Sequence, residues 1–179
     1  MIRISSILNF SELENINEPY YYLILLDGEV AFLIDENSYN CSGKFLLFLT
    51  PYQLLEWKKT NLFNLNHLQF HGDFYCIEYH KKEVACNGIL FNNIYTKPYI
   101  QLSDELFEEI ATLFNKIKLL ETATESFNQS IVKSYLQLIL ALSSREKQLF
   151  QCVELSEKTN LNAVSNFKTV LEDHFIKEK

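Results

Sequence analysis

The sequence predicts an α+β fold in which a β-barrel is followed by helices. Two observations carry this. In the first half, short apolar runs are separated by turn residues, the pattern of a small barrel or sandwich. In the second half, apolar residues recur at helical spacing. The composition agrees with a packed interior: 14 Phe and 10 Tyr accompany only four Gly and three Pro in 179 residues.

The elements follow in order. Residues 20–26 (YYYLILL) and 29–35 (EVAFLID) flank Asp27-Gly28. An Asp-Gly pair between apolar runs predicts a two-residue hairpin, because its central positions favour positive φ. A turn cluster at 37–43 (NSYNCSG) leads into a strand at 44–50, stopped by Pro51. Residues 62–70 give another strand. Gly72 breaks it, and Asp73 is placed to cap a short helix over 74–84. Asn87-Gly88 turns the chain into a short strand at 89–91. Ser103 is the predicted N-cap of the next helix, and Asp104 and Glu105 suit the positive end of its dipole. Leu106, Ile110, Leu113, Ile117 and Leu120 form its apolar side. A second helix is predicted over 125–142 with two apolar faces, one marked by Tyr135, Leu138, Ile139 and Leu142 and the other by Val132, Leu136 and Leu140. Such a helix needs two partners, the domain body and a second surface. A third helix is predicted over 163–176, with Val164, Phe167, Val170, Leu171 and Phe175 on its apolar side.

Composition narrows the function. The formal charge is -7, with 16 Lys and Arg against 23 Asp and Glu and no dense basic run. A duplex-binding surface needs clustered cations to displace counterions, so direct DNA contact by these residues is not expected. No stretch approaches the ~20 apolar residues of a membrane span. The start, MIRISSILNFSELE, reaches Glu12 and Glu14 too soon for a signal-peptide core. The four cysteines, Cys41, Cys76, Cys86 and Cys152, contain no C-x-x-C pair. The expectation is a cytoplasmic protein with free thiols.

Several motifs occur in a recognisable order. Residues 46–53 (LLFLTPYQ) form an apolar strand ending in a Pro-x-Gln turn, with Trp57 following. Residues 67–74 (HLQFHGDF) form a strand ending in Phe-His-x-Asp-Phe. Residues 87–93 (NGILFNN), 135–145 and Phe167-x-x-x-Leu171-x-x-His174-Phe175 come next. Together these resemble the N-terminal, cupin-like sensor part of AraC-type bacterial transcription regulators, over about 20–175. The resemblance implies a cupin-like β-barrel of the double-stranded β-helix type, then a helical hairpin and a linker helix. It implies a sensor barrel at 1–100, a dimerisation hairpin at 101–145, and a linker helix at 146–179 leading toward a DNA-binding domain. Nothing before Lys179 resembles the family's helix-turn-helix units, so an excised sensor or a stand-alone module is expected.

The chemical candidates follow. His67 and His71 stand four apart in a predicted strand and share a face. With Asp73, Glu78 or His80 they suggest a metal site, but the His-x-His pair of metal-binding cupins is missing, so no metal is expected. Cys76 and Cys86 lie near Lys81, Lys82 and His80, which would favour a thiolate, although burial is the commoner fate of such cysteines. No nucleophile elbow, paired-carboxylate motif or phosphate-cradling loop occurs.

The expected ligand pocket is Tyr22, Phe32, Phe48, Trp57, His67 and His71. Inner aromatics, among them Tyr20, Tyr21 and Phe63, either line a small-molecule pocket or fill the barrel completely, and the sequence leaves both open. The expected dimer interface is Val132, Leu136, Ile139 and Leu140. The reading is thus a non-enzymatic sensor that needs no cofactor, forms a homodimer, binds a small effector, and reaches DNA only through a helix-turn-helix domain outside this sequence. The alternatives are a stand-alone dimeric binding module and a metal-dependent cupin enzyme.

Overall fold

The computed structural model describes residues 2–6, 15–75, 89–91, 97–121 and 126–157. Five antiparallel strands form one sheet in the order β1-β4-β2-β3-β5: β1 (Ile2–Ser6), β2 (Tyr21–Ile34), β3 (Asn37–Leu49), β4 (Leu55–Phe70) and β5 (Tyr99–Gln101). Two helices follow, α1 (Asp104–Glu121) and α2 (Ser126–Glu157). The α+β class and the β-then-helix order match the sequence expectation.

Three of the strands are longer than expected, and two expected strands are one continuous β2. Asp27-Gly28 is not a hairpin turn, and β2 runs straight through it. The reason lies in the neighbouring strand. Between Asp27 and Gly28 the register against β4 slips, from Asp27↔Asn64 to Gly28↔Leu62. Gly28 has φ +140°, and a Cβ there would sit 2.4 Å from the Asn61 carbonyl oxygen. Glycine here serves a bulge and a close backbone approach, which override the turn signal. The actual hairpin is closed by Asp35 and Glu36, with Asp35 at φ 53°. The Asp35 carboxylate accepts the Leu54 N–H at 3.1 Å and so ties this turn to the entry of β4.

Gly28 pairs with Gly43 on β3, so the two glycines lie side by side across the sheet. There the sheet folds over on itself. Tyr99 pairs with Leu47, eight residues along β3 from Tyr39. In a flat sheet that offset is about 26 Å, yet the Tyr39 and Tyr99 ring centres are 6.3 Å apart. The doubling-over gives a barrel-like wrap. Its concave face is filled by Tyr22, Ile24, Leu26, Phe32, Ile34, Leu47 and others from both halves.

Burial follows from this geometry. On one side of the bend, residues 22–26 and 45–49 are continuously buried, covered by the folded-over half on one face and by helices on the other. On the far side burial alternates, as in a sheet with one face in water. The helical layer sits on Leu23, Leu25, Leu46, Phe48, Leu68 and Phe70. α1 starts as expected: the Ser103 hydroxyl accepts the Leu106 N–H at 3.3 Å, and Asp104 pairs with Lys44 at 3.0 Å. Its expected stripe is inward, and Phe107 and Phe114 add to it.

β1 and β5 were not anticipated from sequence. The expected strand at 89–91 is a turn, although Ile89 and Leu90 are buried in the helical-side core. The helix expected at 74–84 lies mostly, and the helix at 163–176 entirely, outside the described residues. α2 runs on to Glu157, through the expected boundary between hairpin and linker at 145 and 146.

Candidate functional site

The six expected pocket residues do not form one site. Strand register decides their faces. Tyr22, Phe32, Trp57 and His67 lie on the concave side. Phe48 pairs with Leu23, shares its face, and packs beneath the helices against Phe91. His71 lies beyond the end of β4, with Nδ1 3.1 Å from the Asp73 carboxylate and the Tyr20 ring edge-on to it. Phe63 falls at the bulge opposite Gly28 and is 79% exposed. The sequence pattern carried no register, so it could not separate these faces.

On the concave side the chemistry gathers at two places. At one, Tyr22 donates its hydroxyl to Glu18 at 2.5 Å, and His67 stands edge-on to the Tyr22 ring. Burial, then the Glu18 carboxylate that accepts its hydrogen bond, raises the Tyr22 phenol far above the ordinary tyrosine range. Burial lowers the His67 pKa below the usual imidazole value, with Glu18 opposing, which favours the neutral ring. At the other place, Phe32 stacks on Tyr39 and meets Trp57 and Tyr99 edge-on. The Trp57 Nε1–H is buried there with no acceptor among the described residues. A buried donor without a partner carries a desolvation penalty of ~1–3 kcal/mol. It is therefore a donor on this face that an added acceptor would satisfy. Sequence reading placed Trp57 in the pocket but gave no sign that its N–H lacks a partner.

A separate depression of about 290 Å³ lies on the far half of the sheet, lined by Glu29, Val30, Ala31, Asn40, Cys41, Ser42 and Lys59. It is open to solvent. Burial raises the Cys41 thiol pKa, with Tyr99 and Lys97 opposing, so this sulfur is a poor nucleophile. Cys76 and Cys86 lie outside the described residues, as do Glu78 and His80. Among the described residues no three His, Cys, Asp or Glu side chains are grouped to hold a metal.

The expected dimer interface requires a correction. Val132, Leu136, Ile139 and Leu140 are buried within the single chain, at 4% exposure or less, against the sheet and α1. They are unavailable to a second copy. The exposed face of α2 is different: Ile131, Tyr135, Leu138, Leu142, Arg145 and Leu149. Ile131, Leu138 and Leu149 are 40%, 43% and 57% exposed, whereas Tyr135 and Leu142 are half-buried and pack against the edge of the core, with the Lys116 ammonium 5.6 Å from the centre of the Tyr135 ring. The spacing alternates four and three residues, the period on which coiled-coil seams are built. At 3.6 residues per turn this stripe lies roughly 140° around the helix from the buried one. The sequence showed both faces but not which one the body covers.

No protein-family model matches the chain, and no curated protein matches it. Solved structures do show likenesses. One is the crystal structure of the AraC-like transcriptional activator CuxR, with TM-score 0.42 and 11% identity over 69% of this chain. The present chain spans 43% of that one. Another is the Clostridium difficile EutQ protein, with TM-score 0.29 and 12% identity over 44% of this chain and 70% of that one. No helix among the described residues is long and apolar enough to cross a membrane.

Proposed function

We propose that this chain is the effector-sensing and dimerisation part of an AraC-like transcription regulator. The observation that carries the reading is α2. One face completes the core behind a curled sheet, and the opposite face presents an apolar seam to solvent. The motif order read from the sequence supports the same assignment.

The seam is self-complementary in one orientation. In an antiparallel pair centred between Leu138 and Leu142, Ile131 faces the partner's Leu149, and Leu138 faces the partner's Leu142. Tyr135 then faces the partner's Arg145, a cation beside an aromatic ring. A parallel pair would instead set Arg145 against the partner's Arg145. Ser134, Ala141 and Gln148 flank the seam and bring no like charges across it. The stripe from Ile131 to Leu149 is about 27 Å long at 1.5 Å per residue.

The effector in this reading is a small, largely apolar molecule with one hydrogen-bond acceptor that reaches the buried Trp57 N–H by displacing side chains that fill the concave face. Its binding shifts a population between two arrangements of α2, which requires different affinities for the two. DNA contact belongs to a helix-turn-helix domain outside these residues.

A reporter fusion tests the reading. Joined to a monomeric DNA-binding domain that represses only when paired, the chain is expected to restore repression. Leu138→Asp with Leu142→Asp is expected to abolish it. Failure of the unsubstituted fusion to repress, with the fusion present and folded, would remove the dimerisation role. Orientation is tested by cysteines: a chain carrying Ile131→Cys should cross-link to one carrying Leu149→Cys, and neither should link to itself.

A further inference from the structure

Among the described residues of α2, three polar ones are buried: Ser143, Ser144 and Lys147. The two serines donate to carbonyls one turn back, Ile139 and Leu140, both at 2.7 Å. Lys147 reaches off the helix. Its Nζ donates to the Lys97 carbonyl at 3.0 Å, just before β5, and lies 5.9 Å from the centre of the Phe48 ring on β3. The residue is 4% exposed and is the last buried side chain described on α2, since Gln148, Leu149 and Phe150 are all exposed.

Burial works against the charged form of this amine, while the Phe48 ring face and the Lys97 carbonyl favour it. β3 offers the Phe48 ring, and the segment entering β5 offers one carbonyl. The Lys97 ammonium itself lies over Tyr99. On α2, Arg145 is exposed and Glu146 is half-buried at neighbouring positions. The ion pairs among the described residues are Lys44–Asp104, Lys58–Glu56 and His71–Asp73, and none includes Lys147. A charged ammonium has three donors to satisfy, and among the described residues this site supplies one acceptor and a ring face. A neutral amine has fewer donors and no charge to desolvate. Burial accordingly lowers the Lys147 pKa from 10.5 to about 8.

We propose that Lys147 is a proton-dependent latch that ties the second half of α2 to β3 and to the start of β5, tightening when the amine loses its proton. The inference does not depend on the regulator reading. Its sign follows from linkage. Released into water, the amine keeps its proton up to about pH 10.5. Held in the site, it gives the proton up from about pH 8. Below pH 8 both states are charged and the latch is at its weakest. Between the two values the latched state gains approximately tenfold in population per pH unit.

The test uses the whole chain labelled with [13Cε]lysine. One lysine resonance, missing in Lys147→Met, is expected to titrate well below the others. Hydrogen exchange supplies the regional readout. Protection of the Ser143–Phe150 amides, relative to those of Val132–Leu140, should be flat below about pH 8 and rise above it. In Lys147→Met the ratio should be flat throughout. Lysines that all titrate together overturn the proposal, as does a wild-type protection ratio that does not change with pH. If Lys147→Met does not fold, the wild-type titration and exchange profile still decide.

Discussion

The two faces of α2 have nearly the same composition and opposite surroundings. Val132, Leu136, Ile139 and Leu140 are sealed in the core, while Ile131, Leu138 and Leu149 on the other side are exposed. Apolarity alone therefore does not show which face a protein body uses. The difference is set by where α1 and the sheet lie, and by spacing. The exposed face keeps the strict four-three alternation of a helix-to-helix seam. The covered face is broader and ends in polar groups, as expected where a helix rests on a sheet rather than on one other helix.

The contrast can be broken most forcefully from the inside. Leu136 is fully buried. Leu136→Ala is expected to destabilise the chain by ~3–4 kcal/mol, from lost burial and the cavity left behind. Denaturant unfolding would measure this, and association should be unchanged at concentrations where the variant remains folded. A loss below ~1 kcal/mol would mean that this face is not the core.

A smaller effect of opposite sign is expected where the inner face turns polar. Lys147→Met removes an amine whose ionised form is poorly accommodated, so at pH 7 it should stabilise by ~1–3 kcal/mol. The lost hydrogen bond to the Lys97 carbonyl offsets part of this. The gain should shrink as pH rises from about 8, the folded value, toward about 10.5, the unfolded one. In that window the wild type sheds its proton in the folded state first, so its own stability rises. Thermal melts of both proteins across pH 7 to 10.5 would show the curves converging.

The smallest change in single-chain stability is expected on the outer face. Leu138 is already 43% exposed, so Leu138→Asp should alter the folding stability of the isolated chain by less than ~0.5 kcal/mol. It should nonetheless remove association. That dissociation of the two readouts distinguishes a seam from a core.

Much of this was legible in the sequence, and the failures have physical causes. The order of β then α, the Ser103 cap and the inward stripe of α1 all rest on local periodicity and capping, which sequence carries directly. The hairpin at Asp27-Gly28 failed because Gly28 is fixed by a neighbour 33 residues away, Asn61, whose carbonyl leaves no room for a Cβ. The six-residue pocket failed because faces depend on register. Phe48 is an aromatic like Phe32, but it pairs with Leu23 and so turns to the helices. β5 has only three residues, too few to show a period. Nothing in the sequence marks Lys147 as buried, and only the approach of Phe48 and the Lys97 carbonyl makes it an inner-face residue.

Pairing through the outer face of α2 doubles the mass in solution. Light scattering coupled to size exclusion at micromolar concentration should give twice the 21.1 kDa chain mass for the unsubstituted protein. It should give the single-chain mass for the folded variant carrying Leu138→Asp and Leu142→Asp. A single-chain mass for the unsubstituted protein, or a variant that stays paired, would contradict the account.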